Sequence, residues 1–239
     1  MGSEPSVMSR AFLTARWRHL LFVTFETPET LLAPLVPAGC QLDRWTGRTY
    51  VSLVALRMER VRMRGLAVPG LTVYPQVNLR SYVRHEGQPA VCFVQELVPS
   101  RLLAAVARWR YGEPFAAGRV EMSATHDAGG STVEYRFGID RPHNRVSVRG
   151  SLDTAVPSAT TFEHWVKERT RGCCTGRDGR LRTFDVAHPV WALHRVESAI
   201  CDVNFATLYG RDWMFLTDAR PASVLYAVGS DVRVSAPST

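Results

Sequence analysis

The sequence predicts an α+β protein in which strands dominate. Two observations carry this. Extended apolar runs recur from Arg16 to Val234, some continuous and some alternating. Only three short segments carry helix-start signals. A third observation concerns closure. Meanders of this length leave exposed edges, and closing the sheet removes them. The expected architecture is therefore a closed, mostly antiparallel β-barrel with about three short helices packed on it. No repeat, low-complexity block or linker divides the chain, so one domain is expected.

The elements follow in order. Arg16 to Glu26 is mostly apolar and β-rich, as in a strand buried on both faces. A short helix is expected from Thr27, with Thr27 as cap, Pro28 in the first turn and Glu29 at the positive end of the dipole. Pro34 and Pro37 keep it short. Tyr50 to Met58, Leu71 to His85 and Ala90 to Leu97 read as strands, with Glu86-Gly87 as a turn. A second helix starts at Ser100, with Leu102, Leu103, Val106 and Trp109 on its buried side, and Gly112 stops it. Arg119 to Asp140 is a hairpin: Val120, Met122 and Ala124 alternate with polar residues, Asp127 to Gly130 turns, and Val133, Tyr135, Phe137 and Ile139 resume the alternation. Arg145 to Leu152 extends this meander. A third helix is expected over Thr161 to Arg171, with Thr160 and Glu163 spaced as a capping box. Asp178-Gly179 is a hairpin signal. Val196 to Tyr209 suits either helix or strand.

Bulk properties exclude several classes. A chain of 239 residues with 46% hydrophobic residues needs neither metal nor disulfide for its core. No apolar run reaches the roughly 18–20 residues that span a bilayer, and no secretory signal is visible, so a cytoplasmic protein without membrane association is expected. Met1 to Ser6 fits the loose myristoylation pattern only poorly. The five cysteines match no zinc or redox spacing, and Cys92 reads as a small buried hydrophobe. No phosphate-loop, dinucleotide, nucleophile-elbow or zinc-protease pattern occurs, so neither cofactor nor metal is expected. The net charge is +7, with Lys167 the sole lysine among 29 basic residues. The arginines are spread along the chain. Arg60, Arg62 and Arg64 alternate on one face of a strand, where they are solvated or meet an anion.

Several segments together resemble the DUF2071 family, and they run in order from about residue 11 to 236. They include Trp17 to Phe22, Thr27 to Glu29, Pro34 to Pro37, Asn78-Leu79-Arg80-Ser81-Tyr82-Val83, Phe162 to Arg169 and His188 to Leu193. That family is similar in fold to acetoacetate decarboxylase. The resemblance implies a barrel with a central cavity, often in a self-associating subunit. It does not imply the activity. The decarboxylase uses a lysine that forms an iminium. Gly112-Glu113-Pro114-Phe115 resembles the turn before that lysine, but Ala116 and Ala117 follow. Gln76 stands where the enzyme's glutamate is matched. Lys167 is expected to be solvated on the third helix, away from Phe162, Trp165, Val166 and Arg169.

The remaining candidates define an anion site without an amine. Asn78, Arg80 and Tyr82 fall at alternate positions of one strand and share a face. Together they suit a carboxylate or enolate, with Arg80 binding it bidentately. Glu96 is the candidate for proton transfer if it points inward, in phase with Cys92 and Val94. Arg119 is a further anion ligand. Glu168 and Arg169 belong to a cavity mouth or pair with surface charges, His188 is a loop histidine, and Trp191 packs. The expected function is binding of a small organic acid or keto acid, with any lyase-type step running without a Schiff base. The alternative is a non-catalytic module whose arginine face meets an acidic partner. Nucleic acid is the less expected partner.

Overall fold

A computed structural model describes residues 11–67, 70–112 and 114–238. The myristoylation-like pattern and the side chain of Val106 lie outside the described residues. The strands are β1 (Leu13–Glu26), β2 (Cys40–Leu42), β3 (Tyr50–Met63), β4 (Leu66–Ala67), β5 (Tyr74–His85), β6 (Gln88–Val98) and β7 (Phe115–Ala117). They continue as β8 (Arg119–Asp127), β9 (Gly130–Gly138), β10 (Asn144–Ala155), β11 (Arg171–Thr175), β12 (Leu181–Ala187), β13 (Leu193–Asp202) and β14 (Ser223–Val234). The helices are α1 (Glu29–Leu32), α2 (Arg101–Tyr111), α3 (Phe162–Lys167) and α4 (Phe205–Tyr209), with 3₁₀ turns at Ala33–Leu35 and Arg211–Leu216.

All the strands join one 14-stranded sheet, in the order β1-β3-β5-β6-β11-β12-β14-β13-β10-β9-β8. The β1–β14 ladder brings the first seven of these back to their start. Pairing is antiparallel except where β6 meets β7 and β11. The meander β8-β9-β10 then folds over the outside of β1, β3 and β5. Its Val133, Tyr135, Phe137 and Val148 pack with Val23, Phe25, Leu53 and Leu79, under α4 and its Phe205. A second apolar cluster fills the other face, with Leu20, Phe22, Val54, Leu56 and Leu225.

This two-sided packing explains the continuous apolar character of Leu20 to Phe25. Leu21, Val23 and Phe25 face one cluster, and Leu20 and Phe22 the other. The register of β1 shifts between Arg18 and Leu21, where His19 takes a φ of 53°. Opposite, Gly229 has a φ of 79°, and a Cβ there would lie 2.1 Å from the Trp17 carbonyl oxygen. Only glycine fits that crossing. Glu86 and Gly87, with φ of 50° and 74°, form the tight turn between β5 and β6.

Four helix expectations need correction. Thr27 does not cap α1: Pro28 holds that position, and the Thr27 hydroxyl donates back to the Phe25 carbonyl at 3.3 Å. The apolar residues Leu102 and Trp109 are 67% and 72% exposed, whereas Leu103 packs as expected, beside Ala104 and Ala107. Ser100 does cap α2, accepting from the Leu103 amide at 3.2 Å, and Gly112 ends it in the left-handed region. The third helix stops at Lys167, not Arg171, because Glu168 leaves helical geometry (φ −89°, ψ 80°) and Arg171 enters a strand. Its cap is Thr161, which accepts from the His164 amide. The ambiguous stretch Val196 to Tyr209 is strand first, in β13, then helix, in α4. No helix among the described residues is long and apolar enough to cross a membrane.

Candidate functional site

A cavity of about 250 Å³ lies within the β1–β3–β5–β6–β11–β12–β14 circuit. Most of its wall is apolar, including Trp17, Phe22, Tyr74, Phe93, Phe115 and Phe184. One polar strip crosses it. Gln76, Asn78 and Arg80 line it from β5, because Val77 and Leu79 take the opposite face. Glu96 lines it from β6, opposite Asn78, and accepts from the Gln76 amide. Burial, with the nearby Glu96, pushes the Tyr74 phenol well above its ordinary value.

A bulge decides the phase of β6. Leu79 partners Gln95 whereas Arg80 partners Phe93, so Val94 is the extra residue. Glu96, Phe93 and Val91 therefore all line the cavity. Val94 and Cys92 pack into two other clusters, so Glu96 is not in phase with them as alternation implied. Cys92 is buried, with its thiol pushed up to about 12 by desolvation. All five cysteines are free.

Arg80 carries the site's electrostatics. It is 8% exposed, and one terminal nitrogen donates to the Val166 carbonyl at 2.9 Å. Its guanidinium lies 5.2 Å from the Phe22 ring centre and 5.7 Å from that of Tyr82. Among the described residues no carboxylate is within ion-pair reach of it, and its Nε has no hydrogen-bond partner. Asn78 Oδ1 is likewise buried and unpartnered. A buried guanidinium without an anion is costly, so the cavity holds unmet demand for negative charge.

A second cationic corner comes from the end of α3. Lys167 is not solvated. Its side chain has no exposed surface, it lines the cavity, and its ammonium pairs with Glu168. Lys167 is the last residue of α3 and is buried beside Val166, on the side from which the wheel excludes it. Glu168 also accepts the Trp191 backbone N–H at 3.2 Å, and the His188 Nδ1 lies 3.9 Å from its other oxygen. The His188 ring stacks on Trp191 at 4.0 Å, and Trp191 lines the cavity. Arg169 caps the helix by donating to the Trp165 carbonyl at 2.8 Å and to Asp43 at 2.5 Å. Burial lowers its guanidinium pKa and Asp43 opposes that shift.

Two other candidates fall outside the cavity wall. Tyr82 shares the strand face of Arg80, but Trp165 covers its ring at 4.5 Å and its hydroxyl is bonded to Ser52. It supports Arg80 from behind. Arg119 is exposed at the start of β8, opposite Gly138. The placement as an anion ligand is therefore corrected: β7 runs parallel to β6 and presents Phe115 to the cavity, and the chain has left it by Arg119. Nothing in the sequence between Val166 and Gly172 marks the departure from helical geometry at Glu168, so the burial of Lys167 had no local signal. No cluster of three or more metal-ligating side chains occurs among the described residues.

The sequence matches the family described as "Uncharacterized conserved protein", DUF2071, over residues 14–231. The chain belongs to the DUF2071 family. A curated relative, the "Uncharacterized protein YqjF" of Bacillus subtilis (strain 168), is 27% identical over 195 residues, covering 80% of this chain and 78% of that one. Among solved structures, the enduracididine biosynthesis enzyme MppR in complex with pyruvate has a TM-score of 0.64 at 14% identity, covering 98% of this chain and 92% of that one. Acetoacetate decarboxylase from Legionella pneumophila subsp. pneumophila str. Philadelphia 1 has a TM-score of 0.63 at 13% identity, covering 98% and 90%. At such identities the likeness is one of fold. This DUF2071 chain shares a mostly β, acetoacetate decarboxylase-like architecture.

Proposed function

We propose that this DUF2071 protein is a barrel that binds an organic acid of the keto-acid class in its central cavity. The observation that carries the reading is Arg80: a buried guanidinium, with no carboxylate partner among the described residues, on the polar strip of a cavity whose wall is mostly apolar. The ligand's carboxylate would accept from its free Nε, and a hydroxyl or enol would donate to Asn78 Oδ1. The apolar wall calls for an apolar body on the acid. A cavity of about 150 Å³ lined by aliphatic and aromatic groups holds benzene, and this one is about 250 Å³. A phenyl or short alkyl group joined to a keto-carboxylate matches that space. The structural likeness to MppR in complex with pyruvate supports the same class.

Arg80→Gln is expected to abolish the thermal stabilisation that phenylpyruvate or a similar acid gives the parent protein. The amide keeps a donor for Val166 but removes the charge. Parent protein that gains no stability from any member of a keto-acid panel, or a variant that responds like the parent, would refute the assignment.

A second reading concerns chemistry, and it rests on Lys167. Its amine is buried at the cavity in contact with the Glu168 carboxylate. The deprotonated amine would attack the ketone carbon, water would leave, and the resulting iminium would accept the electron pair released on loss of carbon dioxide or of an α-proton. Lys167 lines the cavity that the sequence was expected to leave without an amine. Borohydride treatment with pyruvate or acetoacetate is expected to leave a reduced adduct on Lys167, seen by peptide mass spectrometry and absent from Lys167→Met. Ligand binding without any adduct would leave the protein a binder only.

A further inference from the structure

We infer that the outer face of the sheet carries a second ligand site, for a small phosphate-bearing molecule, between Arg62 and Arg233. It is separate from the organic-acid cavity and does not depend on that reading. The strand β1 lies between β3 and β14, and Thr14 partners Arg62 on one side and Arg233 on the other. Neighbouring strands are about 4.8 Å apart, so the two arginines flank the Thr14 hydroxyl at about 10 Å across. Ala15, Val61, Val232 and Val234 of the same strands are buried, which turns Arg62 and Arg233 outward.

The groove there has a volume of about 660 Å³, bounded by Arg16, Arg60, Arg62, Arg233, Asp231 and the His188-Pro189 loop. Its single carboxylate, Asp231, is held by Arg16 at 2.6 Å. Among the described residues, Arg60, Arg62 and Arg233 have no carboxylate within ion-pair reach. Arg60 is aimed here by a bulge: Glu59 partners Arg16 and Arg62 partners Thr14, leaving Arg60 as the extra residue with a φ of 52°. The three-arginine alternation read from the sequence ends differently, because Arg64 turns back over the Phe12 ring at 5.6 Å.

Three guanidiniums without a carboxylate partner among the described residues line one groove, Arg62 also donating to the Gly65 carbonyl at 3.2 Å, and they exceed what a carboxylate with two oxygens needs. They match the three terminal oxygens and double charge of a phosphate, which planar arginine forks bind bidentately. The patch is also bounded: Arg57 is neutralised by Glu59 at 3.0 Å, and Asp231 closes another side. A nucleic-acid strand needs a longer cationic track.

The test is calorimetric titration of the full chain with inorganic pyrophosphate, with acetate at equal ionic strength as the comparison. Pyrophosphate is expected to bind one-to-one and acetate not at all. Arg62→Gln and Arg233→Gln should each weaken binding by about tenfold or more, since each removes a charge-assisted contact. Arg44→Gln, outside the groove, should bind like the parent. Pyrophosphate should also protect Arg62 and Arg233 of the unmutated protein from phenylglyoxal, which keeps the test independent of how the variants fold. Absence of pyrophosphate binding at millimolar concentration, or equal loss in Arg44→Gln, would overturn the site. So would tighter binding of a single-stranded oligonucleotide with a steep salt slope, which would mark a nucleic-acid surface.

Discussion

Glu168→Gln is expected to destabilise the protein by about 3–5 kcal/mol, the range for removing one partner of a buried ion pair. The Lys167 side chain is 0% exposed and that of Glu168 11%, so solvent screens the pair little. Glutamine retains an oxygen for the Trp191 backbone N–H, so that bond survives. What is lost is the charge that balances a buried ammonium. For a chain of this size the melting temperature should fall by about 6–20 °C. Lys167→Met in the same chain should restore most of the loss, because replacing both charges by groups of similar size is often close to neutral. A double-mutant cycle read by urea unfolding measures the coupling. A single variant as stable as the parent would mean that Lys167 carries no balanced charge in the resting protein.

Arg169→Met should cost a similar amount, about 3–5 kcal/mol. The guanidinium satisfies the Trp165 carbonyl at the end of α3 and holds Asp43, whose side chain is only 7% exposed. It also lies 4.4 Å from the Trp165 ring centre and 5.0 Å from that of Tyr82. Without it Asp43 keeps, among the described residues, only the Arg84 pair at 3.5 Å. Arg169→Lys should recover little, since an ammonium cannot donate in two fixed directions while stacking on rings. Arg171→Gln is the comparison. Its partner Asp185 is 62% exposed, and such pairs contribute about 0–1 kcal/mol. The denaturation midpoints should separate the two substitutions at constant slope. Equal midpoints would show that the Asp43 pair is no more valuable than a surface one.

Both predictions centre on α3, where sequence reasoning and structure part most clearly. The hairpins were legible because alternation and turn chemistry are local: Asp127 accepts from the amides of Gly129 and Gly130, and Val133, Tyr135 and Phe137 bury one face. Asn78 and Arg80 on one strand face were legible for the same reason. The placement of Lys167 was not. A helix wheel assumes ideal geometry to the last residue, and Lys167 is that last residue, with Glu168 already outside helical geometry and Arg171 paired in the β11–β12 ladder. Glu96 reached the cavity by a route that alternation did not contain, since the Val94 bulge reverses the phase. On α2, Leu102 and Trp109 stand exposed although their spacing alone marked them as buried.

The amino-acid order by itself determined the predominance of strands, the meander, the caps at Ser100 and Gly112 and the polar face of β5, because each depends on neighbours a few residues away. Tertiary structure decided which groups meet across the chain. Asp43 finds Arg169, Trp191 finds Glu168, and the Val166 carbonyl finds Arg80 over long separations in sequence. The physical reason is desolvation: a buried charge must meet its partner wherever the sheet brings one near, and that encounter has no period in the sequence.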